Sequence, residues 1–206
     1  VLANERLAPY LPVPIVVKRK AVYAFSSPKD RPQSIGRLSA FMGNAGVLLR
    51  AYIYVCLLGP KGLVRIADIA TLNANYLMHQ LRGQGFQLAY PDRRATHEFI
   101  ITLQHQMKAQ GVSAKDYGKR LLDHGIHSPT TYFPIHIAEC LLIEPTETET
   151  KETLDQFVQA MVAIKAEAMS DPTRVKTAPH TMPVKRLDET KAARALDVVF
   201  DGCPDS

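Results

Sequence analysis

Apolar and polar positions along the chain follow two periods, and the changes between them fall at Pro and Gly. Within the Pro-rich opening, residues 1–33, the apolar stretches Pro14–Lys18 and Ala21–Phe25 predict two short strands. A turn at the basic run Lys18-Arg19-Lys20 joins them, and a Pro28-Lys29-Asp30-Arg31-Pro32 loop follows. From Leu38 to Leu58 a long apolar segment predicts a helix, weakened at its start by Gly43 and Gly46. Leu58-Gly59-Pro60 ends it and opens a second helix to about Arg82, with Leu63, Ile66, Ala70, Leu77 and Leu81 at helical spacing. Gly83 and Gly85 stop that helix.

Beyond Gly85, Phe86–Tyr90 and Glu98–Leu103 predict strands on either side of a polar turn. Ser113 followed by Asp116 is a capping-box pattern, with Val112 and Tyr117 placed as a hydrophobic staple; the helix it opens should end at Gly125. Cys140–Glu144 suits a buried strand that Pro145 breaks. Thr146 with Glu149 forms a second capping-box pattern. The helix expected after it carries Leu154, Phe157, Val158, Met161 and Ile164 on one face and stops before Pro172. A polar, Pro-containing tail closes the chain, helical near Asp188–Leu196. This order predicts an α/β (α+β-like) domain, its helices packed on a small, mainly antiparallel sheet. The organisation expected is a linking segment over 1–33, a domain over 34–171 led by the long helix, and an extension over 172–206.

Composition narrows the class. The 206 residues are 46% hydrophobic and 22% charged, which predicts a folded globular protein able to bury a core without staples. No apolar run is expected to reach the roughly 20 residues of a membrane span, and no secretory signal opens the sequence. The first residue is Val1, which suggests a fragment or a processed chain. A net charge of +5 with one tight basic run and no interleaved aromatics does not make a nucleic-acid surface. Cys56, Cys140 and Cys203 are far apart without a C-x-x-C pattern, which fits free thiols in a cytoplasm and argues against structural zinc.

Candidate chemistry is sparse on local grounds. His97-Glu98 lacks the second His of H-E-x-x-H, because position 101 is Ile. His124 and His127 lie three apart, but Gly125 should end the helix between them, so no metal site is assigned. His127-Ser128-Pro129-Thr130-Thr131 is a polar turn between a helix end and a strand, where binding groups often sit. Glu144-Pro145-Thr146-Glu147 places acidic residues by a helix N-terminus, a structural role. Ser34-Ile35-Gly36-Arg37, with Gly43-Asn44 nearby, offers a hydroxyl, amides and a guanidinium to an anion, without a P-loop or G-x-G-x-x-G pattern.

Read as strings, several stretches resemble the glycine decarboxylase family, the P-protein of the glycine cleavage system. They are Leu7-Ala8-Pro9-Tyr10-Leu11-Pro12, Arg31-Pro32-Gln33-Ser34-Ile35-Gly36-Arg37 and Leu72-Asn73-Ala74-Asn75-Tyr76. After these come His97-Glu98-Phe99-Ile100, Gly125-Ile126-His127-Ser128-Pro129-Thr130, Ile143-Glu144-Pro145-Thr146-Glu147-Thr148-Glu149 and Ala178-Pro179-His180. They fall in the family's order and cover nearly the whole chain. The likeness is greatest to the second subunit of the bacterial two-subunit form. Single-chain members carry Ala-Pro-Trp-Gly-Ser where Ala40-Phe41-Met42-Gly43-Asn44 stands, and His-Ala-Pro-Thr where Ser128 stands. The first departure favours the two-subunit form.

The resemblance implies the C-terminal domain of a fold-type-I pyridoxal-phosphate enzyme. The family's Schiff-base lysine follows a His ahead of a glycine-rich stretch; Lys18, Lys20 and Lys29 lack that context, so no residue here is assigned catalysis. These residues alone should therefore be inactive. The implied reaction is decarboxylation of glycine through an external aldimine, with transfer of the aminomethyl group to the lipoyl arm of H-protein. Implied partners are the first glycine decarboxylase subunit and lipoylated H-protein, with no nucleic acid and no membrane. Ser34, Gly36, Arg37, Gly43 and Asn44 become phosphate-side candidates for the cofactor. His97, His127 and Thr130 become candidates for the substrate or lipoyl entrance, with Glu144 and Thr146 as support. Two alternatives remain. A transaminase or lyase of the same fold would use Arg37 or Arg120 to grip a carboxylate. A non-catalytic interaction module would have kept the domain and lost the site.

Overall fold

The computed structural model describes residues 3–38 and 43–199; Ala40, Phe41, Met42 and Cys203 lie outside them. The chain divides into two compact units, Val1–Leu63 and Val64–Ser206.

In the first unit, β1 (Val16–Arg19) and β2 (Val22–Phe25) form the expected antiparallel hairpin, with Val16 opposite Phe25 and Arg19 opposite Val22. Lys20 turns the chain with φ 54°. Ser26 closes the open end: its N–H donates to the Ile15 carbonyl at 2.8 Å, and its Oγ accepts from the Ile15 N–H at 3.2 Å. In the loop that follows, Asp30 accepts from the Ser27 N–H at 2.7 Å and pairs with Arg19 at 2.8 Å. The Ser27 hydrogen bonds hold its carboxyl below the usual range.

α1 (Ala45–Gly83) begins where Asn44 caps it, its side-chain oxygen accepting from the Val47 N–H at 3.0 Å. The break expected at Leu58-Gly59-Pro60 is present: Gly59 has φ 61° and ψ −179°, outside helical space, and Pro60 follows. One expectation is corrected here. α1 contains an 18-residue stretch of mean hydropathy 1.5, long and apolar enough by length and composition to cross a membrane, and none of it is buried. A non-helical residue would, however, leave backbone groups unpaired in lipid unless other protein covered it.

The second unit contains a four-stranded antiparallel sheet in the order β3 (Gln87–Leu88), β4 (Phe99–Thr102), β6 (Cys140–Ile143), β5 (Thr130–Thr131). Phe99 and Ile101 lie opposite Ile143 and Leu141, and all four are buried. The helices are the second half of α1, α2 (Gln104–Gln110), α3 (Ala114–Asp123), α4 (Lys151–Ser170), α5 (Pro172–Lys176) and α6 (Glu189–Arg194). One core joins Leu77 and Leu81 of α1, Tyr117 and Leu121 of α3, the sheet, and the predicted face of α4.

The Ser113–Asp116 capping box forms as predicted, and its staple residues Val112 and Tyr117 are both fully buried. The second box does not start a helix. α4 begins four residues later, capped by Thr150, whose Oγ1 accepts from the Thr153 N–H at 3.3 Å. The two-residue β5 and the uncapped α2 were not anticipated. The tail expected to be polar contains α5 and sends Val175 and Ala178 into the interior.

Candidate functional site

The second unit contains a cleft of about 560 Å³, and local sequence explains its walls. One wall begins where α3 ends. Gly125, with φ 73°, donates its N–H to the Leu122 carbonyl at 3.0 Å, and Ile126 donates to that of Leu121 at 3.1 Å. This is a Schellman motif: a left-handed glycine reverses the chain, and the apolar residue after it packs back on the core. The reversal delivers His127, Ser128 and Pro129 to the rim and Thr130 into β5. There Thr130 pairs with Leu142, and both line the cleft.

The opposite wall follows β6. Pro145 stops the strand, and Glu144, Thr146 and Glu149 border the recess before α4 begins. Thr146 and Thr148 share a hydroxyl–hydroxyl bond of 2.7 Å, and Thr153 donates its hydroxyl to Glu149 Oε2 at 2.7 Å. Leu77, Leu154 and Phe157 supply apolar surface. The cleft thus offers an imidazole, hydroxyls and carboxylates above an apolar floor. Among the described residues no His, Cys, Asp and Glu cluster suits a metal ion. The lining can bind and orient a ligand; it supplies no lysine.

Four of the sequence-predicted residues therefore meet here: His127, Thr130, Glu144 and Thr146. His97 does not line this cleft. It is exposed, 3.3 Å from Thr96 Oγ1 and 3.9 Å from the Glu98 carboxylate. Glu149, Thr153 and Phe157 were missed as lining residues; a wall formed by the first turns of a helix follows only from the fold.

Gly118 brings α3 close to this wall. A methyl group there would collide with Ser128 Oγ, whereas Ser128 Cβ would stand 3.5 Å away.

The anion candidates all belong to the first unit. Ser34 Oγ donates to the Leu11 carbonyl at 2.7 Å and accepts from the Gly36 N–H at 3.1 Å. Gly36 has φ 91°, and its carbonyl accepts from the Val13 N–H at 3.0 Å. Asn44 is the cap of α1, while Arg37 and Gly43 are exposed.

Arg120 has a different role from the one weighed for a carboxylate-gripping arginine. Its side chain is 8% exposed and makes a bidentate pair with Glu167, at 2.8 Å for each bond, and a third bond of 2.8 Å to Asp123. Asp123, 2% exposed, also accepts from the His180 N–H at 2.6 Å and the Thr181 N–H at 2.7 Å. Burial pushes the Asp123 carboxyl up, but the amides of Thr181 and His180 with the Arg120 guanidinium hold it well below the usual range. Arg120 is a structural cation held by two carboxylates, and the cluster ties the tail to α3 and α4.

Residues 66–186 match the family model described as the C-terminal domain of glycine dehydrogenase. The chain belongs to that family. Proteins named probable glycine dehydrogenase (decarboxylating) subunit 2 are similar over nearly its whole length. Those of Nitrosomonas europaea and Thiobacillus denitrificans are 61% and 60% identical over 96% of this chain, and that of Legionella pneumophila strain Corby is 58% identical over 97%. In each case the chain spans 41% of the relative's length. A crystal structure titled glycine decarboxylase (P-protein) of the glycine cleavage system, in inhibitor-bound form, superposes with a TM-score of 0.63 at 18% identity, covering 78% of this chain and 37% of that one. The fold is thus that expected for the C-terminal part of a fold-type-I pyridoxal-phosphate enzyme. The likeness to glycine dehydrogenase subunit 2 read from the motifs is borne out.

Proposed function

We propose that this chain is the C-terminal part of the second subunit of a glycine decarboxylase, and that its cleft forms one wall of the substrate or lipoyl entrance. The observation that carries the reading is convergence. His127 and Thr130 come from one family motif, Glu144 and Thr146 from another, and the fold joins the two in one recess. In this reading His127 and Thr130 present polar atoms to the ligand. Glu144 and Thr146 hold the facing loop, and the apolar floor keeps water off that side. His97 lies apart from the cleft and would serve an approach path rather than the pocket.

The glycine decarboxylase family is pyridoxal-phosphate dependent. When bound, pyridoxal phosphate supplies the electron sink for loss of carbon dioxide from glycine. The phosphate-side candidates offer the exposed Arg37 guanidinium and the exposed Gly43, and Asn44 caps α1 by accepting from the Val47 N–H. Ser34 would act indirectly, since its hydroxyl already serves Leu11 and Gly36. No lysine of this chain stands in the family's His-Lys context, so these 206 residues alone would not turn over glycine. Residues 1–33 would be the link from the cofactor-binding domain, 34–171 the small domain and 172–206 its extension. The name subunit 2 in the relatives implies a first subunit, and lipoylated H-protein would take the aminomethyl group. A cytoplasmic setting is supported by Cys56 and Cys140, both free thiols. Arg120, already paired with Glu167 and Asp123, speaks against a transaminase that would hold a carboxylate with it.

The test is exchange of labelled bicarbonate into the carboxyl carbon of glycine. It uses the intact subunit carrying this chain, its partner subunit and lipoylated H-protein. The expected result is exchange that requires pyridoxal phosphate and is lowered about tenfold or more in kcat/KM by His127→Ala or Thr130→Ala. No exchange with cofactor demonstrably bound would move the reading to another pyridoxal-phosphate enzyme.

A further inference from the structure

Four consecutive residues of α1, Asn73-Ala74-Asn75-Tyr76, each engage a different part of the second unit. Successive side chains on a helix point about 100° apart, so such a run reaches right around the axis. Ala74 is fully buried in the core, and Tyr76 donates its hydroxyl to Asp155 on α4. The two asparagines do something else: each takes hold of the backbone of a loop. Asn73 donates its amide protons to the carbonyls of Thr146 at 2.9 Å and Glu149 at 3.3 Å. Asn75 donates to the Ala95 carbonyl at 2.8 Å and accepts from the Ala95 N–H at 3.1 Å.

Asn73 is buried, and its two partners are both acceptors, so only the amide nitrogen can face them. The residues it grips are themselves cleft-lining: Thr146 and Glu149 bound the wall that faces His127 and Thr130. Within that loop the Glu149 N–H reaches back to the Thr146 carbonyl at 3.3 Å, so Asn73 fastens both ends of one turn from outside. Asn75 works by the same chemistry on a loop bordering a separate, smaller recess of about 180 Å³.

We propose that Asn73 is a positioning residue of the candidate site, fixing the Glu144–Glu149 wall at its working distance from His127 and Thr130. The proposal rests on the reading of the cleft given above. Asn75 provides an internal control, because its removal costs a comparable pair of part-buried bonds to loop backbone without touching that wall.

The test compares Asn73→Ala and Asn75→Ala in the intact subunit with its partner and lipoylated H-protein, at a temperature where both variants are fully folded. Asn73→Ala is expected to lower kcat for glycine–bicarbonate exchange by about tenfold to a hundredfold, the scale of a small misplacement at a site. Asn75→Ala, which frees the loop of the approach-path candidate His97, is expected to keep kcat near wild type when H-protein is saturating, although its melting midpoint falls as well. Hydrogen exchange on the same proteins reads the anchoring without any reaction. Asn73→Ala should speed exchange at 146–149 and leave 94–97 unchanged, and Asn75→Ala should do the reverse. Activity that merely follows the folded fraction, equal losses in the two variants, or uniform exchange would overturn the proposal. So would faster exchange at 146–149 with kcat unchanged. If wild type itself shows no glycine exchange, the glycine decarboxylase reading falls; localised amide exchange then still supports the anchoring, and uniform exchange overturns it.

Discussion

The two units of this chain spend their apolar residues in opposite ways. Among the described residues of the first, only Val13 and Ser26 are buried, while Tyr23, Phe25, Tyr52 and Leu57 stand largely exposed. The second threads one continuous core from α1 through the sheet to α5. A sheet or helix is stable when its apolar side is covered, and in the first unit that side stands open. The second unit carries its own reason to fold. The first has local order, a hairpin and a capped helix, without the burial that would sustain it.

The comparison can be broken most sharply at the buried ion cluster. Asp123→Ala takes one of Arg120's two carboxylate partners and leaves two tail amides without their acceptor, and should cost about 3–5 kcal/mol in denaturant unfolding. Asp123 and Glu167 have folded-state pKa values below their ordinary 3.8 and 4.5. Their contribution is therefore fully present above those ordinary values and is lost as pH falls through the lower folded-state ones. The gap in melting temperature between wild type and Asp123→Ala should accordingly be widest at neutral pH and begin to narrow only below about pH 3.8, the ordinary Asp value. A pH-independent gap would mean that packing, not charge, dominates there.

Next comes the core against the exposed surface. Leu81→Ala should cost about 2–5 kcal/mol, and Leu57→Ala, at a residue 81% exposed, about 0.5 kcal/mol or less. Similar losses from both would show that the first unit's helix is covered in solution. A smaller, signed effect lies beside the cleft. Gly118→Ala should destabilise by about 1–3 kcal/mol through collision with the Ser128 hydroxyl. Adding Ser128→Ala should recover most of that, since the remaining Cβ sits at ordinary contact distance. Additive losses in this double-mutant cycle would place the strain elsewhere.

Much of the fold was legible because it is written in local chemistry. The Ser113–Asp116 box, the glycine stops at Gly85 and Gly125, and the face of α4 each follow from spacing alone. Misreadings arose where two local signals competed or none existed. Thr146 and Thr150 both offer a cap, and the chain uses the second, while Asn73 bonds the carbonyls of Thr146 and Glu149 in the turn before it. α2 has neither a side-chain cap nor a regular apolar face, and β5 is too short to show a period. The candidate site was legible only as separate motifs. That His127 and Glu144 share a cleft while His97 does not depends on strand order, and the fate of Arg120 depends on a burial that composition does not reveal.

The strand order has one more consequence. In the second unit the outermost strands, β3 and β5, are only two residues long, and the longer β4 and β6 lie inside, paired with each other along all four residues and with their short neighbours along two. A foreign strand arriving at either side finds too little template to extend. The arrangement that shapes one wall of the cleft therefore also guards the sheet against aggregation, a protection the two-stranded hairpin of the first unit does not have.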